Sequence, residues 1–128
     1  MRNEILFVDD DRIFNMLHSR LFEKAGVEKS MLKSFRSGDE CLEYLDRRGI
    51  EGTRYLVLMD ISMPVMDGWD FLELLQERDY KENAYVVVVS SSVDEADKVR
   101  AQKYDQVIDY TEKPLSSRYI TQLILKQL

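Results

Sequence analysis

The sequence predicts an α/β fold: a doubly wound, five-stranded parallel sheet in the order 2-1-3-4-5, with helices on both faces. Three observations lead there. Short apolar runs alternate with segments of helical spacing, and every interval is too long for a hairpin and long enough for a crossover helix. Three runs, Ile5–Val8, Tyr55–Met59 and Tyr85–Val89, are continuous, as strands covered on both faces of a parallel sheet are, whereas Met31–Phe35 and Gln106–Tyr110 carry polar interruptions that suit the edges. Right-handed crossovers then favour an order in which runs one and three are neighbours where the winding reverses.

The first run meets Asp9-Asp10-Asp11, and in the helix that follows, ending near Gly26, residues Ile13, Phe14, Leu17 and Leu21 fall at the spacing of one face. On that reading His18 lies at a solvated margin. Met31–Phe35 makes a short second strand, and Ser37-x-x-Glu40 is a capping box opening a helix with Cys41, Leu42 and Leu45 inward and Gly49 and Gly52 at its exit. The third strand ends at Asp60. After a Pro and Gly loop, Trp69–Arg78 sets Phe71, Leu72 and Leu75 on one side, with Trp69 packing near the helix start. The fourth strand ends at Ser90-Ser91-Ser92, and Ser92-x-x-Glu95 forms a second capping-box pattern before a helix with little more than Ala96 and Val99 to bury, which is therefore expected to be weakly held. Gln106–Tyr110 is the fifth strand, Lys113-Pro114 breaks it, and Tyr119, Ile120, Leu123 and Ile124 give a last helix. Cys41 reads as a small core residue, and Met59, Met63 and Met66 as strand core plus loop.

Composition narrows the functional classes. The chain has 128 residues, 45% of them hydrophobic, with 18 Lys plus Arg against 24 Asp plus Glu for a net charge of −6. One domain over residues 1–128 is expected, large enough to bury a core without disulfides or a structural metal. A single Cys and a single His exclude Cys/His metal spacings and, with no secretory leader legible, point to a cytoplasmic setting. The N-terminal apolar run ends in carboxylates, so no membrane insertion is expected. A pI near 4.8 argues against nucleic acid, whose binding draws on clustered Lys and Arg.

The order 2-1-3-4-5 is the flavodoxin-like architecture, and it brings Asp9, Asp10 and Asp60 to the carboxyl ends of adjacent strands, at the switch point where such sheets bind ligands. Gathered carboxylates repel and raise one another's pKa unless a cation neutralises them, and hard oxygen donors with room for water and a phosphate oxygen suit Mg²⁺. Ser90 and Lys113 come from the neighbouring strand ends. A hydroxyl, an ammonium and Mg²⁺ describe a phosphoryl-binding site, within which a carboxylate can act as nucleophile.

These residues resemble those of a response regulator receiver domain of two-component signalling, of the stand-alone type, over essentially the whole chain. The specific pieces are Val8-Asp9-Asp10, Leu58-Met59-Asp60-Ile61-Ser62-Met63-Pro64 with Met66-Asp67-Gly68, Ser90 after the fourth strand, and Tyr110 three residues before Lys113-Pro114. The resemblance implies that Asp60 is the phosphoacceptor, Asp10 a direct Mg²⁺ ligand, Asp9 a ligand through water and Ser62 a ligand through its backbone carbonyl. It implies that Ser90 and Lys113 bind the phosphoryl group, that Tyr110 turns inward as the domain switches, and that Ser62 and Ser92 tune the phosphoryl lifetime. On the residues alone, switch and packing roles for Tyr110 stay open. Expected partners are a sensor histidine kinase or histidine phosphotransfer protein and a downstream protein target, with a phosphorylation-dependent dimer left open; the chain is read as a signalling domain, not an enzyme. Departures from the family pattern are a longer interval between Asp10 and Asp60, placed in a loop around Gly49–Arg54, and the lack of a glycine before the fifth strand.

Two other readings compete. Phe7-Val8-Asp9-Asp10-Asp11 also fits the Asp-x-Asp loop of a haloacid dehalogenase-like phosphatase with Asp9 as nucleophile, but no Asp or Glu follows Glu112 to complete that metal site. A pseudo-receiver that binds partners without phosphorylation is disfavoured by the complete acidic set and Lys113.

Overall fold

The computed structural model describes residues 2–48, 52–64, 66–91 and 93–128. Among them the apolar runs form a parallel sheet in the order β2-β1-β3-β4-β5, as the crossover argument expects. The strands are β1 (Arg2–Val8), β2 (Leu32–Phe35), β3 (Thr53–Asp60), β4 (Ala84–Ser90) and β5 (Val107–Glu112), and the helices α1 (Arg12–Lys24), α2 (Gly38–Arg48), α3 (Gly68–Leu75), α4 (Glu95–Ala101) and α5 (Ser117–Gln127).

Alternation along the central strands divides the core in two. Leu6, Val8, Val57, Met59, Val86 and Val88 face α2, α3 and Ala101 of α4, while Ile5, Phe7, Leu56, Leu58, Val87 and Val89 face Phe22 of α1 and Ile120 and Leu123 of α5. All twelve of these strand side chains are buried, each contributing roughly 1.5–3 kcal/mol on full burial. The register aligns the functional ends: Val8 pairs with Met59, Asp60 with Val89 and Ser90 with Glu112. Asp9, Asp60, Ser90 and Lys113 therefore lie at the carboxyl ends of four adjacent strands.

Several expectations are corrected. The inward face of α1 is Asn15, His18 and Phe22; of the residues expected there, Phe14 and Leu21 are half-buried, with Leu21 against the core, while Ile13 and Leu17 are 67% and 38% exposed. His18 is buried, because its ring nitrogen meets a backbone N–H from the other end of the chain. At the start of α2 the Ser37 hydroxyl accepts from Glu40 N, but the Glu40 carboxylate accepts from Arg36 N, one residue before the cap. β3 begins at Thr53, inside the segment expected as loop, and residues 49–51 lie outside those described. α3 ends at Leu75 and not Arg78, and β5 continues past Tyr110 to Glu112. Asp94 caps α4 by accepting from Ala96 N; the Ser92 of the expected capping box lies outside the described residues.

Candidate functional site

Asp9 and Asp60 are buried at the ends of β1 and β3, and the exposed Asp10 follows in the β1–α1 loop. Local bonds fix both buried carboxylates: Asp9 Oδ1 accepts from Asp11 N and Asp60 Oδ1 from Ser62 N, each at 2.9 Å. These leave the Oδ2 atoms pointing at a shared partner. Lys113 Nζ donates to Asp9 Oδ2 at 2.9 Å and to Asp60 Oδ2 at 3.1 Å.

The loops are anchored from several sides. Asp9 N donates to Phe35 O, and the buried Asn15 side chain donates to both Asp9 O and Phe35 O at 3.0 Å, tying the acidic loop to β2. Beyond Asp60, Gly68 N donates to Ile61 O, and a Cβ at Gly68 would sit 2.8 Å from the Ile61 Cα, so only glycine permits this approach. Asp67 and Asp70 then form a reciprocal capping box on α3. Lys113 N donates to Ser90 O at 2.8 Å, which joins the β4 and β5 ends.

The electrostatics suit a cation. Burial raises the Asp9 pKa and the neighbouring Asp60 charge adds to it, against the Asp11 N–H and Lys113, which lower it. Burial alone would depress the Lys113 ammonium, but its bonds to Asp9 and Asp60 outweigh that and raise its pKa. One lysine thus faces three carboxylates whose oxygens lie within 4.8 Å of one another. Three hard oxygen donors, one of them exposed, with no His or Cys among them, fit Mg²⁺. Ser90 is buried beside this cluster in the sheet register. Among the described residues Tyr110 Oη is buried without a hydrogen bond of ordinary geometry; burial raises its pKa, and the nearby Ser90 hydroxyl and Asp94 backbone oppose the rise.

Residues 5–125 match the family model of the response regulator receiver domain. The chain belongs to that family. Receiver domains are signalling modules and not enzymes in the ordinary sense. Among curated relatives, the chain is 32% identical over 114 residues to the probable methanogenesis regulatory protein FilR2 of Methanothrix harundinacea, covering 88% of this chain and 72% of that protein. It is 27% identical over 124 residues to the sensor protein GacS of Pseudomonas syringae, covering 95% of this chain but only 13% of that protein. Among solved structures, a two-component response regulator from Cytophaga hutchinsonii superposes with a TM-score of 0.86 at 27% identity, covering 98% of this chain and 96% of that one. Another from Legionella pneumophila superposes with a TM-score of 0.82 at 26% identity, covering 99% and 100%.

The receiver domain therefore has the acidic pocket that its sequence promised, with Lys113 bridging two of its members. Ser62 stands exposed two residues beyond Asp60, and Ser92 lies outside the described residues. Sequence reasoning missed Phe14, whose ring centroid lies 4.3 Å from Lys113 Nζ, and the polar inner face of α1. The signal for the latter was present: Asn15 and His18 stand three apart, and Phe22 four further on, one helical stripe. No helix among the described residues is long and apolar enough to cross a membrane.

Proposed function

We propose that this receiver domain takes a phosphoryl group from a phosphohistidine of a sensor histidine kinase or histidine phosphotransfer protein onto Asp60, in a Mg²⁺-dependent reaction, and signals by protein contacts. The convergence of Asp9, Asp10 and Asp60, with Lys113 bridging two of them, supports this most directly. A carboxylate oxygen of Asp60 forms the new O–P bond while the P–N bond to the imidazole breaks. The electron pair leaves on the imidazole nitrogen, which takes up a proton. Lys113 offsets the charge on the phosphoryl oxygens, and the Ser90 hydroxyl donates to one of them. Asp9, Asp10, Asp60 and the Ser62 carbonyl would hold Mg²⁺, which supplies further positive charge beside the transferred group.

Movement of Ser90 toward the phosphoryl group opens space beside Tyr110, whose buried hydroxyl lacks a well-formed bond; the domain then has two states biased by one charge. With Ser62 exposed and the residue type at position 92 small and polar, self-dephosphorylation is moderate to fast; an adduct lasting a day in Mg²⁺ buffer contradicts this. A single domain over residues 1–128 in a cytoplasmic setting, with neither nucleic-acid binding nor membrane insertion, belongs to the same proposal. Its output passes by docking to a protein target, by relay to another histidine or by draining phosphate from a pathway.

Intact-mass analysis after incubation with a small-molecule phosphodonor, with Mg²⁺ or EDTA, tests the reading on wild type and Asp60→Asn. One adduct is expected in Mg²⁺-loaded wild type alone. An adduct surviving in Asp60→Asn moves the acceptor elsewhere, and no adduct under conditions that resolve a short-lived one turns the reading to a pseudo-receiver.

A further inference from the structure

We propose, on the phosphoacceptor reading above, that His18 is a positioning residue for Lys113, holding from the inner face of α1 the turn that delivers the ammonium to Asp9 and Asp60. Nε2 of His18 accepts the backbone N–H of Leu115 at 3.1 Å, joining segments 97 residues apart in the chain. Both residues are buried. This bond fixes the backbone two residues after Lys113, and the bond from Lys113 N to Ser90 O fixes it at the lysine itself. The backbone is thereby held at the lysine and two residues beyond it, and the side chain is left to be placed.

The same imidazole reaches Lys113 by a second route. Phe14 lies one turn before His18 on α1, with ring centroids 6.0 Å apart, and the Phe14 ring sits 4.3 Å from Lys113 Nζ. His18 therefore also lies beside the aromatic ring over which the ammonium sits. Packing alone does not account for a histidine here, since a leucine would fill a similar space without the cost of burying a polar ring. An accepting Nε2 requires the neutral tautomer protonated at Nδ1, and burial, helped by the Lys113 charge, keeps the ring neutral by lowering its pKa to about 4.

The test follows phosphoryl uptake from a small-molecule phosphodonor in Mg²⁺ by intact mass over time. His18→Leu keeps bulk and removes the acceptor, while His18→Gln offers Oε1 in place of Nε2. His18→Leu is expected to slow uptake about tenfold to a hundredfold, as a misplacement of about 1 Å does, and His18→Gln to stay within about threefold of wild type. In a Lys113→Ala background the His18 variants are expected to take up phosphoryl groups at equal rates, because the residue through which His18 acts is gone. Phe22→Leu, on the same inner face but touching neither loop through a hydrogen bond, is expected to keep the wild-type rate. Equal slowing by His18→Leu, His18→Gln and Phe22→Leu, or an undiminished His18 effect without Lys113, overturns the assignment.

Two readouts stand apart from uptake. ¹⁵N NMR of the wild-type imidazole is expected to show Nδ1 protonated and Nε2 bare at neutral pH, and the opposite tautomer overturns the proposal. A wild type that takes up no phosphoryl group overturns the phosphoacceptor reading alone. Crystal structures of the two variants then decide the positioning role, with Lys113 Nζ expected off both carboxylates in His18→Leu and on both in His18→Gln; no difference between them overturns it.

Discussion

The Glu4 carboxylate has no exposed side-chain surface, and its oxygens are met by the Tyr44 hydroxyl and by Arg48 at 2.8 Å, with Arg2 more distant at 3.7 Å. A buried charge that loses its closest cation has its desolvation cost offset only by the Tyr44 hydroxyl and the more distant Arg2, so Arg48→Leu is expected to destabilise the fold by about 2 kcal/mol in urea titrations. Adding Glu4→Gln should recover part of that loss, and a double variant less stable than Arg48→Leu would refute the account. His18 makes the pH counterpart. Its pKa falls from 6.5 in the unfolded chain to about 4 in the fold, through burial first and the Lys113 charge second. Above 6.5 both states are neutral at this ring; between 6.5 and 4 only the unfolded chain gains the proton, so stability drops as pH falls through that window, by about 3 kcal/mol at most. The difference in unfolding free energy between pH 7 and pH 4.5 should therefore be smaller in His18→Gln than in wild type. Asp9, Asp10, Asp60, Ser90 and Lys113 were legible in the sequence because each stands at or beside a strand end, where the order of the sheet alone brings them together. The partners of Glu4 and His18 were not, because pairs 44 and 97 residues apart depend on how helices seat on the sheet.

Among the elements, α1 and α4 separate what periodicity reveals from what it hides. α2 and α3 bury the apolar stripe that their spacing announces, with Cys41, Leu42 and Leu45 on one and Phe71, Leu72 and Leu75 on the other. In α1 Ile13, Met16 and Leu17 face out while Phe22 is buried and Leu21 packs partly against the core, since two places of the inner stripe are taken by Asn15 and His18, which bond the ends of β1, β2 and β5. A hydrophobicity pattern has no means of recognising polar residues that are buried because backbone groups await them. α4 is seven residues long and buries only Ala101, and the stacking of Trp69 on Tyr104 and of Arg100 on Trp69 ties only its C-terminal end to α3. Its N-terminus depends on the Asp94 cap, so Asp94→Ala is expected to cost this helix about 1 kcal/mol. Amide hydrogen exchange should then quicken across residues 95–100 while α3 and α5 keep their protection. Uniform acceleration through all three helices would mean that α4 is part of the global unfolding unit and not a loosely held element.

At the scale of the whole molecule, the sheet order was legible because continuous and interrupted runs distinguish central from edge strands, and its consequence is that the acidic triad exists only in the folded state. Asp9 and Asp10 leave β1, Asp60 leaves β3, and the register of these two strands, Val8 beside Met59, brings their carboxylates together. Lys113 offsets only one of the three negative charges. A divalent cation that binds this arrangement and not the unfolded chain must stabilise folding by mass action, by about 1.4 kcal/mol when its concentration is ten times Kd. Adding Mg²⁺ at constant ionic strength should accordingly raise Tm by several degrees, on the order of 2–8 °C per kcal/mol for domains of this general size, and EDTA should reverse the rise. Asp10→Asn removes the exposed member of the triad without touching the Lys113 bonds, so its Tm should respond little to Mg²⁺ while its fold persists. An equal rise in wild type and Asp10→Asn would place the Mg²⁺ elsewhere on this acidic chain, because a change in bulk screening is held out by the constant ionic strength.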